Sequence, residues 1–115
     1  MDRRVRVSVY GRIAVEAVGR QTTDPDGRAV VFDAGSHLHL ARRRPWLLDH
    51  VDAILATIAQ PDYHEEDPHP GRERFYRQHI DLRRWLRVVV DFNQTPAWVV
   101  TAAVQDNDPR PRQRR

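Results

Sequence analysis

The spacing of apolar residues changes period twice along this chain, and that change constrains the fold more than any other feature. Val5, Val7 and Val9 alternate with Arg4, Arg6 and Ser8, and Ile13, Val15 and Ala17 alternate with Arg12, Ala14 and Glu16. A period of two predicts strands, with Tyr10-Gly11 at the bend between them. Asp24-Pro25-Asp26-Gly27 predicts a turn, because Pro fixes φ and Gly accepts a positive φ. Ala29–Phe32 then predicts a short strand. From Ser36, the expected N-cap, Leu38 and Leu40, and later Leu47, Leu48, Val51, Ile54, Leu55 and Ile58, recur at helical spacing. Pro45 interrupts that pattern, which predicts a short helix over 37–43 and a longer one over 46–59 that ends before Pro61. The segment 61–71 holds three Pro and one Gly and is expected to be a loop. β-rich runs follow at Arg72–Ile80, Trp85–Phe92 and Ala97–Val104, the last two joined through Asn93-Gln94-Thr95-Pro96.

Strands, then helices, then an antiparallel meander is the order of an α+β fold. At 115 residues the chain has room for one hydrophobic core, so a single domain over 1–105 is expected, followed by a tail at 106–115. Both helices should pack on one face of a mainly antiparallel sheet centred on Trp85–Phe92 and Ala97–Val104. Val51, Ile54, Leu55, Ile58, Val89 and Val99 are the expected core. The tail, DNDPRPRQRR, offers nothing apolar but proline and is expected to be disordered.

Composition narrows the chemistry. The chain has no Cys, which removes disulfides, thiolate nucleophiles, iron–sulfur clusters and cysteine-held zinc. No GxSxG, P-loop or GxGxxG pattern occurs, so α/β-hydrolase, kinase-like and dinucleotide-binding readings have no support. No apolar run approaches the roughly 18 residues of a membrane span, and Met1-Asp2-Arg3-Arg4 leads into alternation, unlike a signal peptide. The expected setting is cytoplasmic, with no membrane partner. All 19 basic residues are Arg, whose guanidinium fork matches phosphate in a bidentate way.

Four groups of residues carry candidate chemistry. In Ser36–Pro45, His39 and Arg43 are four apart and share a helical face; imidazole transfers protons near neutrality and guanidinium neutralises phosphate. The alternative is a solvated helix face. On the strand from Arg72, alternation sets Arg74, Tyr76 and Gln78 on one side and Arg77 and His79 on the other, a workable nucleic-acid surface or a charge-protected edge strand. Asp62, His64, Glu65, Glu66, Asp67 and His69 offer oxygen and imidazole ligands, but without metal-ligand spacing, and no metal is expected. Thr101 presents a hydroxyl that either binds phosphate or serves β-propensity.

Taken in order, the His-containing helix start, Arg43-Arg44-Pro45, Ala59-Gln60-Pro61-Asp62-Tyr63, Phe75-Tyr76-Arg77, Leu86–Val90 and Trp98-Val99-Val100-Thr101-Ala102 form a recognisable series. It resembles the small phage- and plasmid-associated members of the barnase, EndoU, colicin and RelE-like (BECR) ribonuclease superfamily. The resemblance covers about residues 37–104. It implies a BECR-type α+β domain that cleaves RNA without metal or cofactor, often as a toxin countered by an antitoxin protein. Position by position, it assigns catalysis to His39, Arg43, Tyr76, Arg77 and Thr101. Arg42, Arg44, Arg74 and His79 are the expected RNA contacts. Where the pattern has His before Pro, this chain has Arg44, so a second imidazole is absent; Tyr76 either stacks a base or takes its place. A non-catalytic RNA- or protein-binding module and a phage-derived adaptor are the competing readings.

Overall fold

The computed structural model describes residues 20–79 and 84–112, and the strands expected between residues 4 and 18 lie outside them. The described elements are β1 (Arg20–Thr23), β2 (Ala29–Phe32), α1 (Ala34–Arg43), a 3₁₀ helix (Pro45–His50), α2 (Val51–Ala59), β3 (Tyr63–Glu66), β4 (Arg72–His79), β5 (Arg84–Asp91) and β6 (Ala97–Gln105). Six strands form one sheet in the order β1-β2-β6-β5-β4-β3, antiparallel throughout except for the β2–β6 pair. The expected α+β fold, with two helices on a mostly antiparallel sheet and β5 and β6 at its centre, is the observed one.

Local chemistry explains the boundaries. The β1–β2 turn closes on the Asp24 side chain, which accepts from the amides of Asp26 (3.1 Å) and Arg28 (2.8 Å), while Gly27 takes φ +84°. The N-cap of α1 is Asp33 rather than Ser36. The Asp33 carboxylate accepts from the Ser36 amide at 2.9 Å and the Ser36 hydroxyl accepts from the Asp33 amide at 3.2 Å, a reciprocal capping box. Arg44, which the following Pro45 keeps out of the helical region at φ −146° and ψ 69°, ends α1, and residues 45–50 wind as a 3₁₀ helix before α2 begins at Val51. The expected loop 61–71 contains β3. Pro61 and Pro68 bracket six proline-free residues, and the middle four pair along β4 from Tyr63↔Tyr76 to Glu66↔Glu73 as a charged edge strand.

Burial settles the two faces of the sheet. Leu40, Leu47, Val51, Ile54 and Ile58 pack against Val30, Phe32, Phe75, Leu86, Val88, Val90, Val99 and Ala102, with Leu55 half-buried beside them. Val89, expected in that core, is buried on the other face, since it alternates with Val88 and Val90. A register shift between Val89 and Val90 lets both valines opposite, Val99 and Val100, be buried. β2 pairs with β6 only through Val30↔Ala97 and Val31↔Trp98; beyond that point α1 lies along β6, and the Ser36 hydroxyl donates to the Val99 carbonyl at 2.6 Å.

Candidate functional site

The sheet face opposite the helices is built from rows of register partners. Glu65, Arg74, Val89 and Thr101 form one row across β3, β4, β5 and β6, and Tyr63, Tyr76, Arg87 and Ala103 form the next. With neighbouring strands about 4.8 Å apart, the Arg74 and Thr101 backbones stand about 10 Å from each other. Trp98, whose neighbours Ala97 and Val99 belong to the core, points to this same face.

The register of α1 brings His39 to the border of that face. A Cβ on Gly35 would come within 3.7 Å of the Trp98 ring, so the Gly35 side of α1 looks toward Trp98. His39 lies four residues on and Arg43 four beyond it, which puts both on or beside that stripe. His39 is half-buried and Arg43 exposed, and among the described residues neither side chain makes a hydrogen bond or ion pair. Thr101 belongs to the same face, and its Oγ1 is buried without a hydrogen-bond partner among the described residues. A threonine hydroxyl in that condition is uncommon, because desolvating it without a partner costs about 1–3 kcal/mol.

Tyr76 shares this face but is committed to a carboxylate. Its hydroxyl donates to Glu65 Oε2 at 2.7 Å, and its ring lies 5.8 Å from that of Tyr63. Burial pushes the Tyr76 phenol above its ordinary pKa, and the Glu65 hydrogen bond raises it further against the pull of Arg74. Arg74, an expected RNA contact, is also occupied: its Nε donates to Asp67 at 2.7 Å, and Glu65 lies 3.8 Å away. Burial alone would raise the Asp67 carboxyl, but Arg74 and the His69 amide together hold it below the usual range.

Arg77 does not join the others. Being next to Tyr76 on a strand it faces the helices, where its Nη1 donates to the Ala56 carbonyl at 3.3 Å in the last turn of α2. Guanidinium there is a second donor to a carbonyl that already accepts the Gln60 amide at 2.9 Å, and its charge suits the helix C-terminus, a structural tie. His79, on the helix side as well, meets the His50 ring edge-on at 5.7 Å. The expected catalytic set therefore divides, with Thr101 and Tyr76 on one face, His39 and Arg43 on or beside the α1 stripe whose Gly35 meets Trp98 of that face, and Arg77 on the other. The expected RNA contacts divide too: Arg42 and Arg44 lie at the end of α1, Arg74 is paired with Asp67 on the opposite sheet face, and His79 meets His50 on the helix side.

Two features escaped sequence reasoning. Trp46, read only as the start of a helix, is 45% exposed directly after the arginine run. The second is a charge network at one end of the helix face. Arg28 grips Glu73 with two hydrogen bonds of 2.8 and 2.7 Å, bonds Asp24 through Nε at 2.8 Å, and lies 3.7 Å over the Phe92 ring. His64 contacts Glu73 at 2.6 Å and stacks on Phe75 at 4.3 Å. No local pattern marks this network, because its members come from strands far apart in sequence. Asp62, Glu65 and Asp67 of the 62–69 segment are likewise used by protein partners, and among the described residues no group of three or more His, Asp or Glu is arranged to hold a metal ion.

Comparison with protein-family models, with curated proteins and with solved structures gave no match. Among the described residues no helix is long and apolar enough to cross a membrane.

Proposed function

We propose that the protein is a metal-independent endoribonuclease of the BECR type, acting as a toxin held in check by an antitoxin protein. The observation that carries this reading is the buried, unpartnered Thr101 hydroxyl on the sheet face that the His39–Arg43 side of α1 borders. A phosphodiester laid over that border meets a free guanidinium and a free imidazole, and it reaches the buried Thr101 hydroxyl of β6 when the side chains covering that oxygen move aside. His39 takes the 2′-OH proton, the 2′-oxygen attacks phosphorus, and the P–O5′ bond breaks to leave a 2′,3′-cyclic phosphate, while the 5′-oxygen takes a proton from water and leaves as a 5′-hydroxyl. Arg43 balances the charge that builds on the phosphoryl oxygens, and Thr101 hydrogen-bonds one of them. Arg77 has no part, since it is tied to the end of α2.

The test is purified protein with RNA in EDTA, scored for cyclic-phosphate ends. Removing a proton-transfer group costs roughly 10²- to 10⁴-fold in rate, so His39→Ala should abolish visible cleavage and relieve toxicity on expression while the protein stays folded. An unchanged cleavage rate in that variant overturns the assignment.

A second reading, a non-catalytic RNA-binding module, is favoured by one specific observation. The one side chain offered as a second proton-transfer group, Tyr76, has its hydroxyl bonded to Glu65 and its pKa pushed upward by burial. That reading predicts salt-sensitive RNA binding with no cleavage by the wild-type protein.

A further inference from the structure

The arginines at the end of α1 differ from most others in the protein. Arg20, Arg28, Arg72, Arg74, Arg84 and Arg110 all sit against carboxylates. Arg42, Arg43 and Arg44 have no such partner among the described residues, although Arg42 and Arg43 are exposed and Asp49 lies only five residues past Arg44. Three uncompensated guanidinium groups at consecutive positions repel one another, and an anionic ligand removes that repulsion. Arg42 and Arg43 also stand in the last turn of the helix and Arg44 at its C-cap, where the backbone itself favours cations.

Trp46 follows immediately. Pro45 fixes the chain direction, the 3₁₀ helix starts there, and the indole meets the His50 ring at 6.1 Å with an interplanar angle of 77°. His50 in turn rests on His79 of β4. The indole is thereby braced from the protein side and still 45% exposed, whereas Trp85 is 5% exposed. A large aromatic surface held in solvent next to unpaired arginines contributes little to the core and suits stacking against a planar, charged-backbone ligand.

We propose that Arg42, Arg43, Arg44 and Trp46 form a binding track for single-stranded RNA, with the arginines on successive phosphates and the indole under an unpaired base. The track rests on the ribonuclease reading above and gives it a substrate class. Because Arg43 shares the His39 stripe, the strand runs from Trp46 along the end of α1 toward His39, and Trp46 holds a nucleotide that flanks the one attacked. Single-stranded rather than duplex RNA is the ligand because an indole needs an open base face, which a paired helix does not offer. An acidic protein segment would satisfy the arginines equally but would leave the indole without a planar partner.

The test measures binding of a labelled single-stranded oligoribonucleotide, the same sequence as a duplex, and a polyglutamate peptide, all in the His39→Ala background so that nothing is cut. Single-stranded RNA should bind best, Trp46→Ala should weaken it about 5- to 100-fold and Trp46→Phe should restore most of that loss. The double variant Arg42→Gln/Arg44→Gln should lower the slope of log affinity against log salt by about 1.4, the value for two phosphate contacts on a single strand. Trp46 is exposed, so its variants keep the wild-type melting temperature. Equal affinity for duplex, tighter binding of polyglutamate, or full affinity in Trp46→Ala overturns the track. Failure of the ribonuclease reading looks different: the oligonucleotide then binds with the expected dependence on Trp46, and the wild-type protein leaves it uncut.

Discussion

Replacing Glu73 by Gln tests the charge network at the end of the sheet. Glu73 on β4 and Arg28 after the β1–β2 turn are separated in the sheet by the whole of β5 and β6, and their bidentate contact spans that gap. Hydrogen bonds between charged groups contribute about 1.5–3 kcal/mol when well shielded. Here the Arg28 side chain is 35% exposed and that of Glu73 21%, so screening lowers the expected loss to about 1–2 kcal/mol. The amide also turns an N–H donor toward guanidinium or gives up one acceptor, and it weakens the contact to His64. For a domain of this size about 1 kcal/mol corresponds to about 4 °C, so the melting temperature at pH 7 should fall by about 4–8 °C. The pH dependence carries a sign. The Arg28 hydrogen bonds hold the Glu73 carboxyl below the usual carboxylate range against the opposing effect of burial. A depressed pKa means stability that is complete above the unfolded-state value and lost as pH falls through the folded one. Thermal melts followed by circular dichroism from pH 7 to pH 3 should therefore show the gap between wild type and variant closing at the acid end. A gap below 1 °C at pH 7, or one that persists undiminished at pH 3, refutes the reasoning.

Ser36→Ala removes the hydroxyl half of the α1 capping box, leaving the Asp33 carboxylate on the backbone amide, together with the buried 2.6 Å bond to the Val99 carbonyl, so urea unfolding should show a loss of about 1–2 kcal/mol. Thr101→Val removes a buried hydroxyl that has no partner; it should raise stability by up to about 1 kcal/mol while slowing RNA cleavage, a pairing of effects that melting and cleavage assays check together. Arg77→Gln should lower the melting temperature through the lost bond to Ala56 yet leave the cleavage rate of the folded protein within about twofold, and a large loss of rate would return Arg77 to the catalytic set.

Much of the fold is legible in the sequence because it follows from periodicity and from local backbone chemistry. The change from period two to helical spacing and back locates both helices and the three long strands, and the Asp-Pro-Asp-Gly turn and the break at Pro45 occur where proline and glycine allow little else. His39 and Arg43 are placed together by helix geometry alone. Short elements are harder to read: four-residue β3 lies hidden among prolines, and the N-cap expected at Ser36 falls instead at Asp33. What tertiary structure decided is which candidates meet and which charges are already used. Alternation along β4 separates Tyr76 from Arg77, but only the packing of α2 shows that Arg77 is spent on the Ala56 carbonyl. Strand order brings Arg28 to Glu73 across 45 residues and leaves Arg42, Arg43 and Arg44 without a carboxylate. A local pattern sets the face on which a side chain stands, whereas ion pairing depends on non-local register, so the availability of a guanidinium for RNA is a property of the folded chain.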